Sequence, residues 1–318
     1  MRSYLFKKWL QFMLTLAGVA VLIFLLLRVI PGDVVAVKLM SEGHRVSAEV
    51  LQMERARLGI DQPLYVQFAQ WVWGMVRLDM GTSMWTGRSV VEEIGERFMV
   101  TFEVAVLAVL VGTLLAAPMG LLAAVYRGSW VDQGVRLFAV LGISLPAFWV
   151  GLLAQTGLLK AFGWLPQVAA LSWKEDPLGH LAQIGLPALI VGWRLSAVVA
   201  RMLRSSMLEV LQEDYVRTAK AKGVPKWTML TRHAARNALL PAVTLLGLEF
   251  AYLLGGLVVT EQVFNLNGVG RLLVQAVSQG DYVLIQGLVM MFALSFVLIN
   301  FLVDVLYAVL DPRVRRRA

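Results

Sequence analysis

The feature that most limits how this chain can fold is a set of six apolar segments, each long enough to cross a bilayer. A helix needs about 20 apolar residues to span roughly 30 Å of hydrocarbon. The segments lie near Leu10–Ile30, Val100–Tyr126, Gln133–Phe162, Leu181–Met202, Ala238–Thr260 and Tyr282–Leu310. Because unpaired backbone groups are costly in lipid, we expect helices. The sequence therefore predicts an all-α, polytopic membrane protein with six transmembrane helices.

Composition supports a membrane protein and excludes several other classes. Of the 318 residues, 58% are hydrophobic and 16% are charged, whereas soluble domains average about 25% charged residues. The chain has no Cys, which excludes disulfides and thiolate chemistry. The first apolar run is too long for the core of a signal peptide, so we expect it to remain as a span.

The distribution of Lys and Arg sets the orientation, because short cytoplasmic loops are rich in both. Three basic residues precede the first span, eight lie from Arg201 to Arg236, and four lie in the C-terminal tail Arg313–Arg317. The two short loops on the other side carry only Lys160, Lys174 and Arg271. We therefore expect both termini to be cytoplasmic. The net charge of +8 fits this anchoring pattern better than nucleic-acid binding.

The long loop 31–99 would then be an external insertion in a single transmembrane domain, 1–318. It carries aromatic residues such as Trp71, Trp73 and Trp85. Two interpretations remain open for these side chains. They could form a belt at the membrane surface, or they could pack a small docking surface.

Motifs for catalysis are missing. The chain contains no G-x-x-x-x-G-K-[ST], no H-E-x-x-H and no G-x-S-x-G, so we expect neither ATP hydrolysis nor another enzymatic activity from it. Its three histidines, His44, His180 and His233, lie far apart, and we predict no metal site. A stand-alone secondary transporter would show paired repeats and broken helices around an ion site, and the sequence shows no such pattern.

Several polar residues lie inside the predicted spans, where they are costly in lipid and should face protein or a water-filled path. They are Glu103, Arg194, Glu249, Asn300 and Asp304. Glu249 and Asn300 are the candidates for a substrate pathway, although interhelix hydrogen bonding is the alternative. For Asp304 and Asp311 we favour interhelix bonding or capping.

Two sequence patterns bear on how the spans pack. Gly247, Ala251 and Gly255 recur every four residues, and such a stripe lets another helix approach closely. In the third segment, Ser144-Leu145-Pro146 predicts a kink, because proline removes a backbone hydrogen bond.

A polar, basic block separates the fourth and fifth spans, within a cytoplasmic loop at 205–237. Ala219 and Ala221 favour a helix, and Gly223 and Pro225 should end it. A second helix could then run from about Trp227 to Leu240, before Pro241 opens the next span. Two short helices joined at a glycine would form a knob suited to a soluble partner.

This block carries a family resemblance. Asp214–Gly223 reads D-Y-V-R-T-A-K-A-K-G, which resembles the coupling loop of ABC importer permeases of the peptide/nickel family, dipeptide/oligopeptide permease B-like. The general signature of such permeases is E-A-A-x-x-x-G, and here Arg217-Thr218-Ala219 stand in place of E-A-A. Further similarity lies at Ser144–Trp149, Asn267–Arg271 and Asp311–Arg313, so the resemblance covers nearly the whole chain.

The resemblance implies an ABC type I importer permease fold in the inner (plasma) membrane. Two similar, non-identical permease chains would form the pore, above two ATPase subunits that bind ATP and Mg²⁺, and an external solute-binding protein would deliver the substrate. This chain would bind no cofactor itself. The substrate would be a di- or oligopeptide, with nickel chelates or another small solute as the alternative. The residues implied to contact the ATPase are Asp214, Tyr215, Arg217, Thr218, Ala219, Lys220, Ala221, Lys222 and Gly223.

Overall fold

The computed structural model describes residues 2–29, 52–53, 61–165 and 174–310. Of the external loop 31–99, residues 31–51 and 54–60 lie outside the described residues, as do Asp311 and the basic tail Arg313–Arg317. The helices are α1 (Arg2–Val29), α2 (Leu64–Val76), α3 (Val90–Val125), α4 (Trp130–Ser144), α5 (Ala147–Phe162), α6 (Pro177–Val210), α7 (Asp214–Ala221), α8 (Lys226–Thr228), α9 (Ala235–Gly256), α10 (Val258–Val263), α11 (Val269–Gln279) and α12 (Tyr282–Leu310). A π-helix, Met229–Ala234, joins α8 to α9.

Five helical runs in the described part of the chain are long and apolar enough to cross a membrane: α1, α3, α6, α8 through α9, and α12. The pair α4–α5 would make a sixth span, bent by 99°. The prediction of one long helix over Gln133–Phe162 is therefore wrong. Pro146 lacks an N–H and disfavours helical geometry at the residue before it. Leu145 is accordingly extended, and the expected kink at Ser144–Pro146 is a complete break between two helices.

The fifth span differs from its prediction at its cytoplasmic end. We expected a short helix that stops at Leu240 before Pro241. Instead the helical backbone continues from Lys226 to Gly256 with Pro241 inside it. Prolines are tolerated inside membrane helices because neighbouring groups compensate for the lost hydrogen bond. The second half of the cytoplasmic loop is thus a direct extension of a spanning helix.

The bundle is built around a close contact between α3 and α6. Small residues make this contact possible: an added Cβ on Gly112 would lie 2.8 Å from a Leu195 methyl carbon, and one on Gly192 would lie 2.8 Å from the Ala108 carbonyl oxygen. In lipid, small residues allow the close packing that holds helices together. The α3 face repeats every four residues through Val104, Ala108, Gly112, Ala116, Gly120 and Ala124, all buried.

The predicted stripe of small residues on the fifth span, Gly247, Ala251 and Gly255, makes close helix contacts only in part. A Cβ on Gly247 would overlap Val303 of α12, so α9 and α12 do approach closely there. Ala251 is buried in the core. A Cβ on Gly255, in contrast, would meet nothing within 4 Å.

A contact between the first and last helices is consistent with the predicted orientation. Lys8 near the start of α1 pairs with Asp304 near the end of α12, at 2.7 Å. The start of α1 and the end of α12 therefore lie on the same side of the bundle, and the expectation that Asp304 bonds between helices is confirmed. Part of the external loop also packs inward: Phe68 and Trp71 of α2 contact Phe24 of α1, with ring centroids 5.2 and 6.0 Å apart.

At the external end of the bundle a buried carboxylate, Glu261 of α10, joins α10 to α3 and α11. It accepts hydrogen bonds from the Thr101 hydroxyl at 2.6 Å and from the Arg271 N–H at 2.8 Å. The Gly270 N–H also donates to it. A carboxylate at the start of α11 is favourable, because the first N–H groups of a helix have no intrahelical acceptor. Burial nevertheless raises the pKa of Glu261 above its usual value.

A second buried carboxylate, Asp281, ties the start of α12 to the loop before α3. It accepts from the Ser83 hydroxyl at 2.6 Å, the Met84 N–H at 3.0 Å and the Leu284 N–H at 3.1 Å. Trp85 adds a bond from its indole N–H to the Gln279 carbonyl oxygen at 2.7 Å. We call Glu261, Asp281 and the groups that donate to them the external latch.

Candidate functional site

The candidate site is the cytoplasmic knob, which we define as residues 211–228 between α6 and the π-helix. At its centre is α7, which spans Asp214–Ala221. Of the nine residues that the resemblance assigns to coupling, eight are exposed and Ala219 is partly buried. The structure therefore places all nine on one short, accessible segment at the cytoplasmic face.

A left-handed glycine ends α7. Gly223 has φ +76°, its N–H donates to the Lys220 carbonyl at 3.1 Å, and the Val224 N–H donates to the Ala219 carbonyl at 3.2 Å. This bond pair is the Schellman motif, which terminates helices at glycine. An added Cβ on Gly223 would meet nothing within 4 Å of the chain. Backbone conformation, rather than crowding within this chain, is what favours glycine here.

Two contacts hold α7 against the rest of the protein. Val216 is its buried side chain and borders, with Val125 and Leu230, a shallow cavity of about 290 Å³. The Tyr215 hydroxyl accepts from Asn237 Nδ2 at 2.8 Å and donates to the His233 carbonyl at 3.4 Å. The knob is thus attached to the helical run that becomes the fifth span.

An ion pair that sequence reasoning missed lies beneath the knob. Arg204, near the end of α6, donates to both carboxylate oxygens of Asp132 at 2.7 and 2.8 Å. The Asp132 side chain is 1% exposed and also accepts from the Gly128 N–H at 2.9 Å. Bidentate pairs of this kind fix geometry as well as adding stability. The loop between α3 and α4 is therefore clamped to the helix that leads into the knob.

Trp227 is a second feature that the sequence analysis did not assign to the site. Its side chain is 74% exposed on α8, beside α7. Apolar side chains exposed singly are common on protein surfaces, and Trp227 is included in the site because it lies within the knob next to Lys226. The sequence signal was available, since Pro225-Lys226-Trp227 places an aromatic residue in a basic loop.

Of the five polar residues predicted inside the spans, Glu103, Arg194, Glu249 and Asp304 take part in side-chain pairs. Arg194 Nη2 lies 3.3 Å from a carboxylate oxygen of Glu249, between α6 and α9. His180 Nε2 lies 2.7 Å from a carboxylate oxygen of Glu103, between α6 and α3. Asn300 is half-buried on α12, and no hydrogen bond joins it to Glu249 in the described part of the chain. The two predicted pathway residues are therefore not joined by a hydrogen bond.

A bundle of spanning helices with an ordered, exposed polar knob at one end is the arrangement expected of a membrane subunit that binds a soluble partner. Comparison with known proteins agrees. Residues 116–316 match the family described as binding-protein-dependent transport system inner membrane component. Residues 1–105 match the corresponding N-terminal family of membrane components. The chain belongs to this family and is a permease subunit of an ABC importer, in the inner membrane.

Relatives extend this similarity over the full length. The chain is 43% identical over 315 residues to a glutathione transport system permease protein of Salmonella choleraesuis, covering 99% of each chain. It is 41% identical over 315 residues to a putative peptide transport system permease protein of Brucella abortus, again covering 99% of each. These relatives fit the peptide/nickel group of ABC permeases that the coupling-loop sequence resembles.

Proposed function

We propose that this chain is one of two permease subunits of an importer for short peptides. The observation that supports this most strongly is the full-length similarity, at 41% and 43% identity, to permeases named for peptide and glutathione transport. Glutathione is itself a small peptide. The apolar spans supply the membrane path, and the missing nucleotide-binding motif implies that energy comes from other subunits.

The knob would be the surface that the ATPase subunits bind, so that ATP-driven movements of the ATPases are transmitted to this chain. We assign the coupling loop to residues 205–237 and the ATPase contact to Asp214–Gly223, where the exposed side chains cluster. ATP and Mg²⁺ would be bound by two partner ATPases. The Tyr215–Asn237 hydrogen bond would carry a displacement of the knob from α7 into α9. The Arg204–Asp132 pair would pass a movement of α6, which leads into the knob, on to α4. An ATPase can drive this switch only if it binds one state more tightly than the other.

The remaining components would lie beside and outside the chain. A second, similar permease subunit would complete the pore, and an extracytoplasmic solute-binding protein would deliver the peptide to the external face, including the insertion 31–99. Glu249 and Asn300 would face the path that the peptide takes. Charged and amide groups in a membrane span are costly unless they face water or protein.

ATPase activity in the reconstituted importer tests this proposal. The chain would be assembled in lipid with its second permease, ATPases and binding protein, and ATP hydrolysis measured with and without a pool of di- to pentapeptides. Stimulation by peptides is expected. Stimulation by nickel chelates or sugars instead would overturn the peptide assignment, and failure to bind any ATPase would overturn the assigned role of the knob. A complex without the binding protein serves as the control.

A further inference from the structure

Two opposite charges meet within the spanning part of the bundle. Arg194 lies near the middle of the 34-residue helix α6, and Glu249 lies in α9. Their side chains approach to 3.3 Å, between Arg194 Nη2 and Glu249 Oε2. Charged residues at this depth are rare, and they usually mark a path for a polar substrate or ion.

The pair is open at one side. The Arg194 side chain is 36% exposed and that of Glu249 is 20% exposed. Hydrocarbon would be a costly neighbour for either charge, so this face must meet water or another polar surface. Tyr252, which follows Glu249 by three residues on the same side of α9, is also exposed. Polar side chains within the spanning region of this chain are thus partly exposed at its surface.

The contact is also incomplete, which separates it from the structural ion pair beneath the knob. Arg204 and Asp132 share two hydrogen bonds, and Asp132 is almost fully enclosed. Arg194 touches Glu249 through one nitrogen only, although a guanidinium offers five N–H donors and a carboxylate two acceptor oxygens. Within the described ranges, neither residue makes another polar contact. Both therefore keep hydrogen-bonding capacity for a ligand.

A second polar pair extends this feature toward the external side. His180, which contacts Glu103, precedes Arg194 by 14 positions on α6. That spacing corresponds to about 21 Å along a helix, with a rotation that returns to within about 40° of the same face. The two polar pairs therefore lie on nearly the same side of α6, one near its external end and one near the middle of the span.

We propose that Arg194 and Glu249 form a subsite for the two ends of a zwitterionic short peptide, an inference that rests on the proposed import of peptides. Arg194 binds the free carboxylate and Glu249 binds the free ammonium. Without peptide the two side chains neutralise each other. The termini of an extended tripeptide lie up to about 10 Å apart, so the incoming peptide separates the pair and exchanges one contact for two.

Binding of capped peptides tests the subsite. The importer is assembled in nanodiscs without its binding protein, and binding of radiolabelled trialanine is measured against N-acetyl-trialanine and trialanine amide as competitors. Wild type is expected to discriminate against each capped peptide by about tenfold or more. Glu249→Gln should lose the discrimination against the acetylated peptide alone, and Arg194→Gln should lose that against the amide alone.

The matched control is Asp304→Asn, which breaks a different interhelix ion pair, that with Lys8, and should leave both preferences intact. If either single variant fails to assemble, the double variant with both Arg194→Gln and Glu249→Gln can be used, because it leaves no unpaired charge at this position. It should lose both the preference for a free amino terminus and the preference for a free carboxyl terminus. The subsite would be overturned if the variants discriminated against the capped peptides as strongly as wild type does. It would also be overturned if the variants lost affinity equally for all three peptides. A wild type that binds no trialanine at millimolar concentration would overturn it too.

Failure of the subsite and failure of peptide import can be told apart. Peptide-stimulated ATPase activity in the complete importer, without any preference for free termini in nanodiscs, would leave peptide import intact and remove the role of Arg194 and Glu249. Absence of stimulation in the complete importer would remove peptide import itself.

Discussion

The two polar ends of this bundle are built in opposite ways. At the external end, Glu261 and Asp281 are fully buried, and their oxygens accept from backbone N–H groups and hydroxyls. At the cytoplasmic end, the charges of α7 point into solvent: the side chains of Asp214 and Arg217 are 95% and 71% exposed. The external latch is closed on itself, whereas the knob leaves its charged groups available.

This difference separates a structural role from a recognition role. A buried polar network that is fully satisfied fixes one local arrangement, because any loss leaves a desolvated group without a partner. An exposed charge contributes little to stability and remains available to another surface. Mutations at the external latch should therefore change folding, and mutations on the knob should change coupling.

The largest effect is expected from Glu261→Ala. The change removes the acceptor for the Thr101 hydroxyl and for the Arg271 and Gly270 N–H groups. Each buried donor left without a partner costs about 1–3 kcal/mol, so the free energy of unfolding should fall by several kcal/mol. Thermal unfolding in detergent would measure this.

The control for the external latch is Glu96→Ala. Glu96 pairs with Arg88 on the same side of the protein, but both side chains are exposed, so the change in unfolding temperature should be slight. Equal losses in Glu261→Ala and Glu96→Ala would contradict the idea that the external latch is structural.

Asp132→Asn should have the next largest effect, because it breaks the clamp under the knob. Hydrogen bonds to charged groups contribute about 1.5–3 kcal/mol, and Arg204 would be left partly buried without its carboxylate. We expect lower stability and a reduced stimulation of ATP hydrolysis by substrate. Asp214→Asn is the control: it breaks only an exposed contact with Arg217 at 3.3 Å and should leave stability unchanged. A stable, fully coupled Asp132→Asn protein would show that the clamp is dispensable.

The sequence predicted the spans well, because a bilayer requires long apolar runs whatever the packing. It also predicted a short helix that ends at Gly223, because alanine favours a helix and glycine terminates one, and α7 spans Asp214–Ala221. The Arg204–Asp132 pair could not be found in this way, because its members lie 72 positions apart and only packing brings them together. Glu261 escaped notice for a related reason: an acid just beyond a span looks like an ordinary interfacial residue until α11 and Thr101 are placed around it.

Substitutions at Gly223 separate two reasons for glycine on the knob. The left-handed backbone at φ +76° penalises alanine by about 1–2 kcal/mol, while asparagine tolerates that region better. If the turn alone matters, Gly223→Asn should be better coupled than Gly223→Ala. If the ATPase backbone approaches Gly223 closely, the larger Asn side chain should reduce coupling more than Ala does. Gly223→Trp should uncouple transport, but it adds strain and bulk together, so the Asn and Ala pair is the sharper measurement.

The smallest effects are expected from Lys220→Ala and Lys222→Ala. Both residues are exposed, so unfolding temperatures should not change. Each exposed ion pair formed with an ATPase would contribute only about 0–1 kcal/mol, equivalent to at most about a fivefold change in affinity. Salt screens such pairs, so the difference from wild type should shrink as ionic strength rises. Lys160→Ala, on the external side, is the control. A loss of affinity much above tenfold that persists at high salt would mean that Lys220 or Lys222 is enclosed in the complex, and that the knob becomes as buried on binding as the external latch already is.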